Sequence, residues 1–191
     1  MNIRTTFILT LPLVLAVAAC VKPHTYVSPD YRKHSSSSLS IPAQPHSVRL
    51  ETAFLLNGKP AEAANRRFAA EAADVLNGSS VVRTSDNAPA VIKLTAATDS
   101  QRGKAAAKGL ATGLTFGLAG NRFDDNYRFE CSYNDGTTAH SETYNHAVTT
   151  VIGNKQAPQG TPVKTKTAFA DVTAQIVTNC LVDLQQKGFL R

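Results

Sequence analysis

Apolar residues recur along this chain with two different spacings, and the order of these spacings restricts the fold more than any other feature. A spacing of two residues, typical of half-buried strands, occurs at residues 47–56 and again at residues 90–98. A helical spacing lies between them and recurs near the end of the chain. The predicted elements are strands at 47–56, 80–84 and 90–98, a hairpin at 126–152, and helices ending at Leu76 and spanning 167–187. We therefore expect an α+β fold with a single small mixed β-sheet and two main helices, in the order β-α-β-β-[Gly-rich segment]-β-β-α.

The first twenty residues have the layout of an export signal. Arg4 provides a basic start, residues 7–19 form an apolar run, and small residues precede Cys20 in the sequence Val17-Ala18-Ala19-Cys20. An uncleaved membrane helix is disfavoured, because Pro12 interrupts a run that is already shorter than the about 20 apolar residues that a bilayer requires. The motif resembles the lipobox of bacterial lipoproteins. That resemblance implies that Cys20 is lipidated and becomes the new amino terminus.

The residue after the cysteine and the composition of the next 25 residues define the expected layout. Val21, rather than an aspartate, follows Cys20, which resembles the lipoproteins that are sorted to the outer membrane. Residues 20–46 are rich in proline and serine and show almost no apolar periodicity, so they are predicted to be a flexible tether. The expected division is a signal peptide at 1–19, the lipidated cysteine and tether at 20–46, and one α+β domain at 47–191.

Two further cysteines remain once Cys20 is lipidated. Cys131 lies in the hairpin and Cys180 in the final helix, on the apolar stripe of Phe169, Val172, Ile176, Cys180 and Leu184. An exported protein meets an oxidising compartment. Cys180 is expected to point towards the sheet, where Cys131 should lie, so we predict a disulfide between them. The alternative is two separate buried thiols.

The hairpin contains the one arrangement that resembles a metal site, since His140, Glu142 and His146 share a strand face. A two-residue turn would place Glu142 opposite Phe129, which is costly for a carboxylate without a metal or a partner. A three-residue loop with Gly136 in the left-handed conformation pairs opposite charges instead. Arg128 then lies opposite Glu142 and Glu130 opposite His140, while Ser132 lies opposite Thr138. We predict this second register, with a solvated ladder of charges and no metal.

Residues 103–120 hold five of the eleven glycines and are the strongest candidate for a contact segment. As a helix, this stretch would have a small-residue groove suited to close helix packing. As a strand, its ten apolar and small residues match the length of a membrane-spanning strand. Packing within the domain, contact with another protein or copy, and contact with the bilayer all remain open. The candidate residues are Gly109, Leu110, Gly113, Leu114, Phe116, Gly117 and Leu118.

The charge balance restricts the partners. There are 20 Lys and Arg residues against 14 Asp and Glu residues, a formal net charge of +6. Such an excess suits an anionic partner such as a lipid headgroup, lipopolysaccharide or a cell-wall polymer, although the charges are spread along the chain and solubility also explains them. An exported address argues against a nucleic-acid partner.

Motifs typical of catalytic sites are missing from the sequence, including G-x-S-x-G and H-E-x-x-H. We therefore expect a noncatalytic outer-membrane lipoprotein without a cofactor, with its domain in the periplasm, that acts as a binding, assembly or accessory factor of the cell envelope. Its partners would be the membrane, through the lipid anchor, and an envelope protein or a second copy. The alternatives are a sensor of envelope polymers and an oligomer that resembles a secretion channel, whose Gly-rich segments enter the membrane.

Four short motifs resemble a group of uncharacterised proteobacterial lipoproteins. They are Leu114-Thr115-Phe116-Gly117-Leu118, Asp125-Asn126-Tyr127, Tyr144-Asn145-His146-Ala147 and Ile152-Gly153-Asn154. The order of elements is also similar to the small α/β domains of the curli secretion channel and of the amino-terminal part of the Tol-system propeller protein. Those domains usually carry a second helix, which is missing between Thr84 and Ala90. A resemblance in fold does not assign a function.

Overall fold

In a computed structural model, residues 23–99, 121–153 and 156–190 are described, and they form one mixed sheet of eight strands with two main helices. The α+β class is confirmed. The strands are β1 (His24–Val27), β2 (His46–Leu56), β3 (Lys59–Pro60), β4 (Val82–Thr84), β5 (Ala90–Thr98), β6 (Asn121–Asn134), β7 (Ala139–Ile152) and β8 (Thr161–Val163). The helices are α1 (Glu62–Gly78) and α2 (Ala168–Gln186), and two 3₁₀ turns lie at Pro29–Tyr31 and Ser36–Ser38.

The strands are ordered β3-β2-β5-β6-β7-β1-β8, and β4 pairs with the start of β2. β2 is parallel to β4 and β5, whereas the remaining pairs are antiparallel. A parallel pair requires a crossover connection, and α1 provides it between β2 and β4. The strand–helix–strand unit predicted for the first half of the domain is therefore confirmed. Within the described residues, neither helix is both long and apolar enough to cross a bilayer.

The hairpin of β6 and β7 has a register that differs from both predicted ones. Asn134 pairs with Ala139, so the connecting loop has four residues, 135–138. Cys131 therefore lies opposite Glu142, and Tyr133 lies opposite His140. The predicted ladder of opposite charges on the outer face is wrong. Arg128 lies opposite Asn145 and not Glu142, and Glu130 lies opposite Thr143 and not His140.

Hydrogen bonds within the loop explain its length. The Asp135 carboxylate accepts hydrogen bonds from the backbone N–H groups of Thr137, at 2.9 Å, and Thr138, at 2.7 Å. The Asn134 side chain accepts one from the N–H group of Gly136, at 2.7 Å. Gly136 has a φ of 87°, the left-handed conformation that was predicted for it. Asp135 therefore closes a longer loop than the turn residues alone suggest, because its carboxylate satisfies backbone groups that a shorter turn would pair directly.

Residues 24–45, here named the N-terminal segment, belong to the folded domain. β1 pairs with β7 on one side and with β8 on the other. Val27 is 2% exposed and is part of the hydrophobic core. The flexible tether predicted for residues 20–46 is therefore wrong from His24 onward, while residues 20–22 lie outside the described residues.

The composition of the N-terminal segment predicted disorder because composition describes the segment in isolation. A stretch with few apolar residues cannot bury enough surface of its own to offset its ordering entropy. In the fold, however, β1 extends an existing sheet, and Val27 enters a core that other elements have already built. The segment is ordered by its neighbours rather than by its own residues.

The two helices cover one face of the sheet to different degrees. α1 buries a single stripe of three residues, Phe68, Ala72 and Leu76. α2 buries eleven of its nineteen residues, which include Val172, Ile176, Cys180 and Leu184 of the predicted stripe. Its burial on several sides shows that α2 lies between the sheet and the N-terminal segment.

The two ends of α2 are closed by different contacts. Thr167 does not cap the helix through its side chain, and its hydroxyl donates to the carbonyl of Lys164 at 3.1 Å. At the other end, the N–H groups of Gly188 and Phe189 bond to the carbonyls of Gln185 and Leu184, at 3.0 and 2.9 Å. This is a Schellman arrangement, with Gly188 at a φ of 89°.

Candidate functional site

Two predicted functional features lie outside the described residues. They are the lipidation site Cys20 and the contact segment at Gly109, Leu110, Gly113, Leu114, Phe116, Gly117 and Leu118. The described part of the chain instead brings together a set of polar side chains between the N-terminal segment, β7 and α2. This set is the strongest candidate site in the described residues.

A disulfide joins Cys131 on β6 to Cys180 on α2, with a Cα–Cα distance of 6.2 Å. Both cysteines are 2% exposed and belong to the core. The predicted bridge is confirmed, and the alternative of two separate thiols is wrong. The bond holds the middle of α2 against the centre of the sheet, so that the polar residues next to Cys180 on the helix have fixed positions.

Asp183 is the centre of the polar set. Tyr144 Oη donates a hydrogen bond to Asp183 Oδ2 at 2.7 Å, and Lys33 Nζ lies 2.9 Å from both carboxylate oxygens. His34 Nε2 lies 3.2 Å from Asp183 Oδ1. We name these four residues the Asp183 clamp. Since the carboxylate side chain is only 5% exposed, the clamp joins the N-terminal segment, β7 and α2 at one largely buried point.

The clamp holds its two acidic groups in fixed protonation states. Burial tends to raise the pKa of Asp183, but hydrogen bonds from Tyr144, Lys33 and His34 outweigh burial and keep that pKa below its ordinary value. Burial and the hydrogen bond to the Asp183 carboxylate raise the pKa of the Tyr144 phenol. Asp183 is therefore an ionised acceptor and Tyr144 a neutral donor at neutral pH. A general acid or base needs a pKa near the working pH, so this pair is suited to holding structure and not to proton transfer.

Asp183 belongs to a polar stripe of α2 in which Gln175, Asn179 and Asp183 recur every four residues. The Asn179 side chain accepts a hydrogen bond from the N–H group of His34 at 2.9 Å and donates one to the carbonyl of Tyr31 at 3.3 Å. The apolar positions of the helix, from which its buried face was predicted, do not reveal this stripe. A spacing of four between three polar residues was a visible signal for a second contact face.

His146 extends the polar set along β7. Its side chain is buried, with Nε2 at 2.9 Å from the Gln175 side-chain oxygen and the ring centroid 5.2 Å from that of Tyr31. Burial lowers the pKa of His146, although the contacts with Gln175 and the Ala147 carbonyl oppose this effect. The imidazole is therefore neutral at neutral pH, and it donates through Nε2 while Nδ1 accepts from the Ala147 N–H group.

His140 and Glu142 lie near the end of α2, away from His146. Lys187 Nζ is 2.8 Å from Glu142 Oε1, and His140 Nε2 is 3.3 Å from the same oxygen. The hydrogen bond from Lys187 lowers the pKa of Glu142. Lys187 thus supplies the partner that a carboxylate on this strand face needs. Among the described residues, no group of three or more His, Cys, Asp and Glu side chains is placed to hold a metal ion.

A polar cleft of about 460 Å³ lies beside the Asp183 clamp, between the N-terminal segment, β8 and α2. Arg32, His34 and Ser36 line one wall, and Asp171, Gln175 and Thr178 line the other. Groups of both charges and several neutral donors and acceptors thus face one open space, together with the apolar side chains of Val163 and Ala174. Such a mixed lining suits a ligand or a segment of a partner that carries both polar and apolar groups.

Comparisons with known proteins do not assign this chain to a family. No protein-family model matches the sequence, and no curated protein matches it. Among solved structures, the chain is similar to PelC of Paraburkholderia phytofirmans, described as the dodecamer of a point variant. The identity is 13%, the TM-score is 0.34, and the match covers 86% of this chain and 97% of that chain. A likeness at this TM-score carries no argument about the fold or the function of this protein.

Proposed function

We propose that this protein is a noncatalytic, lipid-anchored lipoprotein of the outer membrane that acts by binding, as an assembly or accessory factor of the cell envelope. The proposal joins the lipobox-like sequence ending at Cys20 to the architecture of the domain. The polar cleft is the proposed binding place.

The observation that carries the proposal is the position of β1, the first strand of the described residues. β1 starts at His24, four residues after Cys20, and is hydrogen-bonded into the sheet between β7 and β8. Cleavage before Cys20 would therefore leave β1 and all its partners in place. A processed chain with Cys20 at its start would keep every described element.

A binding role without catalysis is supported by the state of the buried ionisable groups. The Asp183 carboxylate is 5% exposed and is fully engaged by Lys33, His34 and Tyr144, so the clamp joins three parts of the chain. Catalytic groups must instead reach a substrate. The polar cleft has one wall on the N-terminal segment and one on α2, and the clamp and the disulfide hold both walls in place. A rigid cleft of this kind loses little entropy when it binds a partner.

The anchor is tested by growing a Gram-negative host that expresses the full chain with an alkyne-labelled palmitate. Label on the wild type, its loss in Cys20→Ala, and recovery of the wild type in the outer-membrane fraction are the expected results. A wild-type chain without label, or one found in the cytosol, would contradict the proposal.

The binding place is tested by a photo-crosslinking amino acid at Ser36, on the wall of the polar cleft, in the native envelope. A matched probe at Asp86, an exposed position in the loop between β4 and β5, serves as the control. We expect discrete adducts from position 36 that are missing from position 86, and mass spectrometry identifies the partner. The same adducts from both positions, or none from position 36, would remove the cleft from the proposal.

A further inference from the structure

The start of β1 limits how far the domain can lie from a lipid anchor. His24 is the first residue of β1, and it follows Cys20 by four residues. An extended chain covers at most about 3.6 Å per residue, so His24 lies within roughly 14 Å of Cys20. The anchor therefore holds one particular end of the sheet close to the membrane surface, whatever the path of the chain between the two residues.

The strand register shows which residues share that end. His24 pairs with Val151 of β7, next to the pair of Ile152 with Asn121, where β6 begins. On the other side of β1, Thr25 pairs with Val163 of β8. We name this region the anchor end. The loop between β6 and β7, here named the distal loop, lies at the opposite end of β6. It is about 40 Å away at a rise of roughly 3.3 Å per residue.

Two exposed lysines are held at the anchor end. Lys164 and Lys166 directly follow β8, and neither forms an ion pair within the described residues. The hydroxyl groups of Thr25 and Thr165 are 2.7 Å apart, and Arg67 donates a hydrogen bond to the Lys166 carbonyl at 2.8 Å. The loop that carries both lysines is thus fixed against β1 and α1.

The distal loop carries a negative charge at its tip. Asp135 lies in the exposed loop between β6 and β7, and the hydrogen bonds it accepts from Thr138 and Thr137 lower its pKa, so that it is ionised at neutral pH. Lys22, between Cys20 and His24 in the sequence, adds a further positive charge next to the anchor. An anionic surface therefore attracts the anchor end and repels the distal loop.

We infer that the anchor end lies against the membrane surface, with Lys164 and Lys166 at the headgroups of anionic phospholipids. The inference rests on the proposed lipid anchor and adds the orientation of the domain and the lipid chemistry that favours it. The distal loop then points away from the membrane.

Energy transfer from the protein to the lipid surface tests this orientation. The purified lipidated full chain is placed in vesicles of phosphatidylethanolamine and phosphatidylglycerol that carry an acceptor dye on the headgroups. A donor dye is attached to Asn121→Cys at the anchor end or, as the matched probe, to Thr137→Cys in the distal loop. Cys131 and Cys180 are closed in the disulfide, so the dye reacts with the introduced thiol alone.

We expect loss of most donor emission from position 121 and of little from position 137. The double variant Lys164→Gln/Lys166→Gln should narrow this difference, as should added salt or neutral phosphatidylcholine vesicles, because screening and neutralisation weaken the attraction. The matched variant Arg83→Gln/Lys93→Gln removes two exposed cations elsewhere on the sheet and should leave the difference unchanged.

The outcomes separate this inference from the proposed function. Equal transfer from both positions in a chain that carries fatty acid on Cys20 would overturn the orientation alone. An unchanged difference in Lys164→Gln/Lys166→Gln would overturn the role of the two lysines. A purified chain with no fatty acid on Cys20 would overturn the proposed function and this inference together.

Discussion

The two helices of this domain have similar lengths and similar apolar stripes, yet they are held in different ways. α1 packs one stripe on the sheet, meets the start of α2 through Phe68 and Phe169, and presents its outer side to solvent. α2 packs on the sheet, is bonded to β6 through the disulfide, and is covered on its polar side by the N-terminal segment. The difference shows that a second contact face can be built from polar residues when another part of the chain satisfies them.

Substitutions on the polar face of α2 should destabilise the fold more than substitutions on a solvent-exposed face. Asp183 and Asn179 are buried, with 4% and 1% of their surface exposed. Loss of a partner there leaves a polar group without water, whereas a change on the outer side of α1 leaves its neighbours hydrated. The following predictions test this contrast from the largest expected effect to the smallest.

Removal of the disulfide should have the largest effect on stability. The bridged cysteines are 49 residues apart, and closing a loop of this length in the unfolded chain corresponds to about 4 kcal/mol. We expect Cys131→Ala/Cys180→Ala to lower the free energy of unfolding by about that amount, measured in urea. A loss below about 1 kcal/mol would mean that packing alone holds α2 in place.

Asp183→Asn should have the second-largest effect on stability. The substitution replaces the shared acceptor of Lys33, His34 and Tyr144 by a neutral amide, and we expect a loss of about 3 kcal/mol. The matched variant on α1 is Asp74→Asn, at an exposed position, with an expected change within about 0.5 kcal/mol. Similar losses from both variants would contradict the contrast between the helices.

The effect of Asp183→Asn on the free energy of unfolding should depend on pH. The folded-state pKa of Asp183 lies below its unfolded value, so its contribution is complete above about pH 4 and is lost as the pH falls through the folded-state pKa. The stability difference between the wild type and Asp183→Asn should therefore shrink as the pH falls below about 4. Urea unfolding at a series of pH values measures it, and a constant difference would show that Asp183 is not ionised in the folded state.

Asn179→Ala should have a smaller and more local effect. The variant removes the side-chain bonds to the backbone of His34 and Tyr31, and we expect a loss of about 1 to 2 kcal/mol. Hydrogen exchange at the amide of His34 should accelerate, while exchange at the amide of Ser79, at the end of α1, stays unchanged. Equal acceleration at both amides would indicate global unfolding instead of release of the N-terminal segment.

The smallest effect is expected on the surface of α1. Arg67 and Glu71 form an ion pair at 2.7 Å on this helix, and their side chains are 52% and 17% exposed. Glu71→Gln should lower the free energy of unfolding by about 0.5 to 1 kcal/mol, measured in urea at low salt. A loss equal to that of Asp183→Asn would show that the two helices are held alike.

Local features made much of this fold predictable. The alternation in β2 and β5 and the apolar stripe of α2 depend only on neighbouring residues, and the structure reproduces them. The disulfide was predictable for a related reason, since Cys180 is on the buried stripe of a helix and Cys131 in a strand of the sheet beneath it. Gly136 and Gly188 were predictable from the left-handed backbone that ends a turn or a helix.

The candidate site was less predictable, because its residues gain their roles from distant partners. Lys33 and Asp183 are 150 positions apart, and Tyr144 and Asp183 are 39 positions apart. The charge pattern of the hairpin favoured a different register, in which Glu142 faced solvent. Lys187 pairs with that carboxylate across 45 positions and makes the observed register acceptable.

The amino-acid sequence by itself determined β2, β5, β6 and the two helices with the faces that they bury, because the spacing of side chains along a strand or a helix is a local property. The tertiary structure alone decided the hairpin register and the order of the N-terminal segment. A short segment with few apolar residues becomes ordered only when a sheet edge and a helix face already exist to receive its backbone and its charges.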